Sequence, residues 1–403
     1  MFVIRRELYA NIAMKRIILF LGIVILFGAC RERFEAEQAY SLNSILVVEG
    51  FINVGDGITR IKLSRVTPLN TASTFVAETN AVVTIEDDDG LTYPLQNKTN
   101  GVYESGELNL GTDKHYRLRV EADEQVFVSE YTEPVITPRI DNVNWTRTQD
   151  NNVNITLSTH DPANETFYYK WEYEEVWETR TAYRSSWAYE NGVARTRTSD
   201  EIKAMSTCWP RRRNSDLLMA TSSALITDAI TDFPLRTFPV TDVRLGYRYA
   251  LTVTQRALTA DEYEFLQVMK RNTNDLGGFF DSQPSQLFGN IRCETSNAPV
   301  VGFIGSYSSQ VKLLIIKHNQ VSDFDYTPQC PLGILDAFFE DPQFALYLEN
   351  ALPTIPIYGP FVDDAAPIIG FELVPNTCAD CRITSGTAPK PDFWVAEDGG
   401  EIE

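Results

Sequence analysis

Residues 168–179 read YYKWEYEEVWET, and this alternation limits what the chain can fold into more than any other stretch. Tyr169, Trp171, Tyr173 and Trp177 share one face of a period-two pattern, with Lys170, Glu172, Glu174 and Glu178 on the other. A helix would scatter those rings around its surface, whereas a strand gathers them on the side that meets a core. Shorter runs repeat the theme upstream. Residues 44–52 (SILVVEGFI) are rich in β-formers and lead into a Gly55-Asp56-Gly57 turn; in residues 58–66 (ITRIKLSRV), Ile61 and Leu63 oppose Arg60 and Lys62. Residues 82–86 and 91–95 flank Asp87-Asp88-Asp89-Gly90 as a hairpin would, and runs at 101–104, 116–120 and 126–131 continue the series. Strands at this spacing, with turn signals between them, predict a sandwich over residues 44–137.

Pro134 and Pro138 mark a linker, and a second sandwich-like domain is expected over residues 138–325. Inside it, residues 180–215 are polar and Arg-rich, ending in Pro210-Arg211-Arg212-Arg213, and read as a loop insertion. One helix stands out over residues 259–276. Thr259-Ala-Asp-Glu262 has the form of a capping box, in which the Thr hydroxyl serves a free N–H of the first turn and Glu262 reaches back. Tyr263, Leu266 and Met269 follow at helical spacing, and Leu276-Gly277-Gly278 ends the pattern. Residues 326–403 read as irregular and helical, with a helix pair at 334–340 and 342–348 broken at Asp341-Pro342. No internal sequence repeat is seen.

The first thirty residues are of another kind. Lys15 and Arg16 precede IILFLGIVILF (residues 17–27), then Gly28, Ala29 and Cys30. A basic start, a short apolar run and small residues make an export signal over residues 1–30, with translation expected to begin at Met14. The run falls well short of the about 20 apolar residues that span a bilayer. Phe27-Gly28-Ala29-Cys30 resembles the bacterial lipobox, with Phe27 where Leu is usual. Cys30 would then be the acylated N-terminal residue, carrying palmitate-type chains; several chains anchor a protein stably where one does not. Residues 31–43 would be a tether.

Of 403 residues, 35 are basic and 55 acidic. Cleaving residues 1–29 removes Arg5, Arg6, Lys15, Arg16 and Glu7, so the net charge moves from −20 to −23. Such a chain is a poor partner for nucleic acid, which needs basic patches, and does not lie flat on anionic lipid. It suits a solvated domain on a tether. With Cys30 set aside, Cys208, Cys293, Cys330, Cys378 and Cys381 remain. Export favours structural disulfides, and five thiols allow two bridges with one left over; the pairing does not follow from sequence. Cys378-Ala379-Asp380-Cys381 also has the form of a redox pair or half a zinc site, but His115, His160 and His318 lie far from it in sequence.

Catalytic patterns are not found. There is no Gly-x-Ser-x-Gly elbow, phosphate-binding loop or dinucleotide glycine pattern. His160-Asp161 reads as loop surface. Glu172, Glu174, Glu175 and Glu178 could be drawn as paired carboxylates for glycoside cleavage, but most read better as the solvent face of the aromatic strand. Asp87-Asp88-Asp89 lacks calcium-loop spacing and reads as a turn. No enzyme activity, metal or cofactor is expected. Trp187, Tyr189 and Trp209, large rings in the predicted loop, are candidates for a partner surface or for packing the insertion down.

Tyr249-Ala-Leu-Thr-Val-Thr-Gln-Arg-Ala-Leu-Thr259, then Glu262-Tyr263, the segment LGGFFDSQPSQLFGNI (residues 276–291) and Val301-Gly-Phe-Ile304 resemble the Bacteroidota outer-membrane lipoproteins of domain-of-unknown-function family 4249. Cys378-Ala-Asp-Cys381-Arg with Lys390-Pro-Asp-Phe-Trp394 resembles that family's ending, and the resemblance runs from Ile45 to this tail. It implies a mainly β fold of tandem Ig/fibronectin-like sandwich modules and an association with TonB-dependent receptors. Glu32, Glu35 and Glu37, interleaved with Arg31 and Arg33, resemble the surface-export signals of such proteins. The expectation is a non-enzymatic outer-membrane lipoprotein, cell-surface facing, assisting a TonB-dependent receptor in nutrient uptake. The alternative is a structural or assembly component of the envelope, or an adhesin.

Overall fold

The computed structural model describes residues 45–66, 75–190, 193–274, 289–323, 326–330, 335–344, 354–362 and 368–397. The export signal, the lipobox Phe27-Gly28-Ala29-Cys30 and the 31–43 tether lie outside them. The described chain is mainly β, arranged in several sheets with few helices.

The first module follows the alternation. Leu46–Asn53 pairs antiparallel with Ile58–Val66, burying Leu46, Val48, Ile61 and Leu63 while Arg60 and Lys62 face solvent. Val82–Asp87 and Thr92–Asn97 form the expected hairpin, with Val83 opposite Leu95. Thr92–Asn97 then leaves its partner to pair with Val102–Glu107, so one strand serves both sheets and makes a corner. Ile85, Tyr103, Tyr116, Leu118 and Phe127 fill the space between. Burying each such side chain contributes roughly 1.5–3 kcal/mol.

The 44–137 boundary needs correction, because three short strands from residues 291–307 complete this module. Ile291–Cys293 pairs with Gln125–Ser129, Val300–Gly302 with Leu46–Asn53, and Ser306–Tyr307 lies between Leu46–Asn53 and Pro134–Val135. The reason is physical: both outer strands would otherwise present unpaired backbone. Strands of two or three residues carry too little periodicity to declare where they dock. Gly302 marks the closest approach. Its φ is +154°, and a Cβ there would meet the carbonyl oxygen of Val48 at 2.4 Å.

The second module sets Ile140–Arg147, Asn152–His160 and Ala229–Pro239 against a sheet centred on Tyr168–Trp177 and Arg248–Leu258. Tyr169, Trp171 and Tyr173 enter its core with Ile155, Leu157, Tyr249 and Val253, as the alternation requires. The indole N–H of Trp171 donates to Gln255 Oε1 at 2.8 Å. The helix Ala260–Asn274 packs where the modules meet, Phe265 on Phe303 and Tyr263 on Tyr168. The linker is sewn in as well: Thr137 Oγ1 donates to the Ser308 carbonyl and accepts from the Ala257 amide.

Two further expectations are corrected. Residues 180–215 are not an irregular loop: they hold the hairpin Trp187–Glu190 with Val193–Thr196 and the helix Ser199–Ser206. The predicted helix at 334–340 is instead the strand Leu335–Phe338, paired with Ile368–Pro375 in a sheet that includes Thr354–Val362. A short apolar run fits either period; Gly370, where a Cβ would strike the Ala337 carbonyl at 2.4 Å, lets these strands close. Of the second predicted helix, 342–348, the described residues pass from a turn at 342–343 into helix at Phe344, and the rest lies outside the described residues.

Candidate functional site

The junction of the two modules forms a cleft of about 880 Å³. Tyr131, Glu133 and Asn290 line it from the first module, Asp141, His160 and Glu165 from the second. Glu130, Asp161 and Asp261 add carboxylates, so six acidic groups face Arg139 and His160. Ile140 pairs with Thr159, and this brings Asp141 beside His160. His160 Nδ1 lies 2.8 Å from both Asp141 carboxylate oxygens, and that contact raises the imidazole pKa above its ordinary value. Asp161 has a fixed structural task. Burial pushes its pKa up, but the amides of Glu165, Ala163 and Thr166 donate to the carboxylate and hold it below the usual range. Behind this turn the buried Asp228 accepts from the hydroxyls of Tyr169, Ser222 and Thr166. The cleft thus has fixed walls and a lining rich in carboxylates, suited to a partner with basic or hydrogen-bond-donating groups.

The sequence-predicted carboxylates of the aromatic strand divide. Glu172 is exposed and Glu174 meets Arg213, but Glu175 and Glu178 are buried, correcting their assignment to a solvent face. Glu175 lies on the same side as Tyr173 and accepts from Arg244 at 3.0 Å and Tyr249 at 2.8 Å. Glu178, at the strand's end, is held by Arg180 and Arg248. Buried carboxylates need such partners. Asp87 is likewise structural: it accepts from the Leu91 amide at 2.7 Å and Lys114 at 2.8 Å, while Gly90 takes φ +86° in the turn. Among the described residues no group of three or more His, Cys, Asp or Glu side chains is placed to hold a metal ion.

Cys208 bonds Cys381 and Cys330 bonds Cys378, leaving Cys293 as a free thiol. The two cysteines of Cys378-x-x-Cys381 therefore go to different partners and staple the tail to the insertion and to residue 330. Trp187, Tyr189 and Trp209 do not form one surface. Trp187 and Tyr189 pack on Phe371, with Tyr189 also against Phe344, and Trp209 packs with Trp394 on the second module. Of the two sequence readings, their contacts fit packing the insertion down. The cleft residues Asp141 and Glu165 were missed because nothing local distinguishes them; only the pairing of strands 19 residues apart brings Asp141 to His160.

Comparison with known proteins adds the family and little else. No curated protein is similar to the chain. Among solved structures, a two-domain fibronectin type III segment of chicken tenascin aligns with 52% of this chain and 88% of its own, at 10% identity and a TM-score of 0.14. That overlap is too loose to support any argument about fold or function. The model of the family described as "Domain of unknown function (DUF4249)" matches residues 31–312. Covering well over half of the sequence, that match means that this protein belongs to the DUF4249 family.

Proposed function

We propose that this protein is a non-catalytic lipoprotein, anchored through Cys30 on the outer membrane of a Bacteroidota cell and facing outward. There it serves as an accessory binding partner of a TonB-dependent receptor in nutrient uptake. The lipobox supports the anchoring, and the resemblance of residues 249–304 to such lipoproteins supports the setting. The observation that carries the binding role is the acidic cleft, because both modules wall it and the returning strands fix one module on the other. Its titratable groups serve the fold: Asp161 caps a turn and Asp141 orients His160. A binding surface needs such fixed walls, since a preorganised site loses less entropy on association.

Affinity purification of the tagged full chain from detergent-solubilised outer membrane tests this reading. A large β-barrel receptor should co-purify, and the Asp141→Arg/Glu165→Arg variant should recover several-fold less of it, consistent with loss of electrostatic complementarity. Recovery of this protein alone would overturn the receptor role. General envelope damage on depletion, rather than a nutrient-specific growth defect, would favour an assembly component instead.

A further inference from the structure

The tether joins the folded chain at one end of the first module. Residues 31–44 separate Cys30 from Ile45, a reach of at most about 50 Å however that segment lies. The Ile45 carbonyl accepts from the Val66 amide, and Val66 pairs with Phe75. From there Leu46–Asn53 runs to the junction of the modules, where Ile52 and Asn53 pair with Ser306 and Tyr307. At the ordinary rise of a strand its two ends lie about 25 Å apart. Tyr116–Ala122 has the same polarity. Tyr116 pairs with Thr132 of the cleft lining, whereas Ala122 leads into the Asp123-Glu124 turn at the tether's end. Arg65 ties that end together: it pairs with Leu46 and with Val76, and donates to Asp123 at 2.8 Å.

The same end presents apolar side chains to solvent. Phe75–Ala77 is an outer strand that pairs, among the described residues, with Ile58–Val66, and all three of its residues are exposed. Phe75 is 56% and Val76 51% exposed, and Val82, which pairs with Glu121 beside the Asp123-Glu124 turn, is 59% exposed. Outer strands are ordinarily blunted by charge, proline or a covering element. Here two large apolar side chains stand in that place. Exposed apolar residues scattered singly need no explanation. Three gathered at the end where the tether enters mark a contact surface.

We propose, taking Cys30 as the anchor, that this end of the first module seats on a lipid surface. Phe75, Val76 and Val82 lie at the boundary of headgroups and acyl chains. That depth suits an outer strand, because its free backbone groups still reach water there and would not in hydrocarbon. Asp123 and Glu124 stand exposed beside the apolar residues, so a zwitterionic surface fits and an anionic one repels. Acyl chains on a tether hold the protein near the membrane but leave its orientation open. The apolar end sets it, and so turns the junction cleft away from the bilayer, towards a partner.

The test uses the acylated full chain reconstituted into phosphatidylcholine vesicles. In a Cys293→Ser background, an environment-sensitive dye is attached at Ala77→Cys or at Leu91→Cys. Leu91 is as exposed as Phe75, but it follows the turn at the junction end of Val82–Asp87. Lipid carrying a doxyl quencher should quench the dye at position 77 several-fold more than the dye at position 91. Phe75→Ser/Val76→Ser should abolish that difference. Flotation and melting temperature should stay as they were, since both side chains are exposed and the acyl chains remain. A chain that floats with equal quenching at the two positions, or a difference that survives the double variant, would overturn the proposal and leave the anchor standing. A dye at position 77 that responds to protein concentration and not to quencher would overturn it too, assigning the strand to a second copy of the chain. A wild type that does not float would remove the anchor and the proposal together.

Discussion

Glu262 shows how one carboxyl couples the two modules. It lies in the first turn of the helix Ala260–Asn274, 5% exposed, in the company of Tyr307 from the returning strands and Arg256 from the second module. Arg256 in turn lies 4.2 Å from the ring centroid of Phe51 in the first module. Burial raises the Glu262 pKa above its ordinary 4.5, and the attraction of Arg256 with a hydrogen bond from Tyr307 only partly opposes this. The folded state therefore binds the proton more tightly than the unfolded chain. Stability from this group is full below about pH 4.5 and declines as pH rises through the raised value. Relative to Glu262→Gln, the wild type should thus lose melting temperature steadily between acid and neutral pH. A difference between the two that is flat with pH would contradict the assignment. The sequence showed Glu262 only as the reaching-back member of a capping box. The helix start was legible, since Thr259 Oγ1 does accept from the Glu262 amide at 3.2 Å. The carboxyl's turn towards Tyr307 was not, because Tyr307 arrives from a strand that local pattern does not dock.

At the level of the element, the complete capping box belongs to the insertion helix Ser199–Ser206. Thr198 accepts from the Glu201 amide, and the Glu201 carboxylate accepts from the Thr198 amide. Arg195, followed by that amide, lowers the Glu201 pKa to about 2. Its sign is opposite to that of Glu262: the contribution is present above the unfolded value and is lost as pH falls towards 2. Thr198→Ala should cost about 0.5–2 kcal/mol, read as a lower denaturant midpoint with unchanged slope. No loss would mean that the disulfide alone holds the helix. The loop reading of residues 180–215 followed their polar composition and passed over Thr198-Ser-Asp-Glu201, which has the form of a capping box. In the same way the apolar run at 335–338 suited a helix until Gly370 admitted a neighbouring strand. The aromatic strand at 168–177 was read correctly because its pattern is long and its rings are large. Glu175 fell on the aromatic face all along, and its place in the core was open to inspection.

For the whole molecule, the sequence conveyed two β modules and the arithmetic of two disulfides with one thiol left. It did not convey that the first module is closed by residues 291–307, nor that the insertion and tail are folded onto each other. Both depend on pairings more than 150 residues apart, from Cys208 to Cys381 and from Gln125–Ser129 to Ile291–Cys293. The pairing of Gln125–Ser129 with Ile291–Cys293 brings Asn290 to the acidic cleft on which the proposed binding role rests. A photo-crosslinking amino acid placed at Asp141, in cells expressing the full lipid-anchored chain, tests that most directly. The expected result is a cross-link to a TonB-dependent β-barrel receptor that weakens when the probe is moved to Lys98, an exposed residue of the first module that does not line the cleft. Cross-links to no receptor at all, or equally strong ones from Lys98, would contradict it.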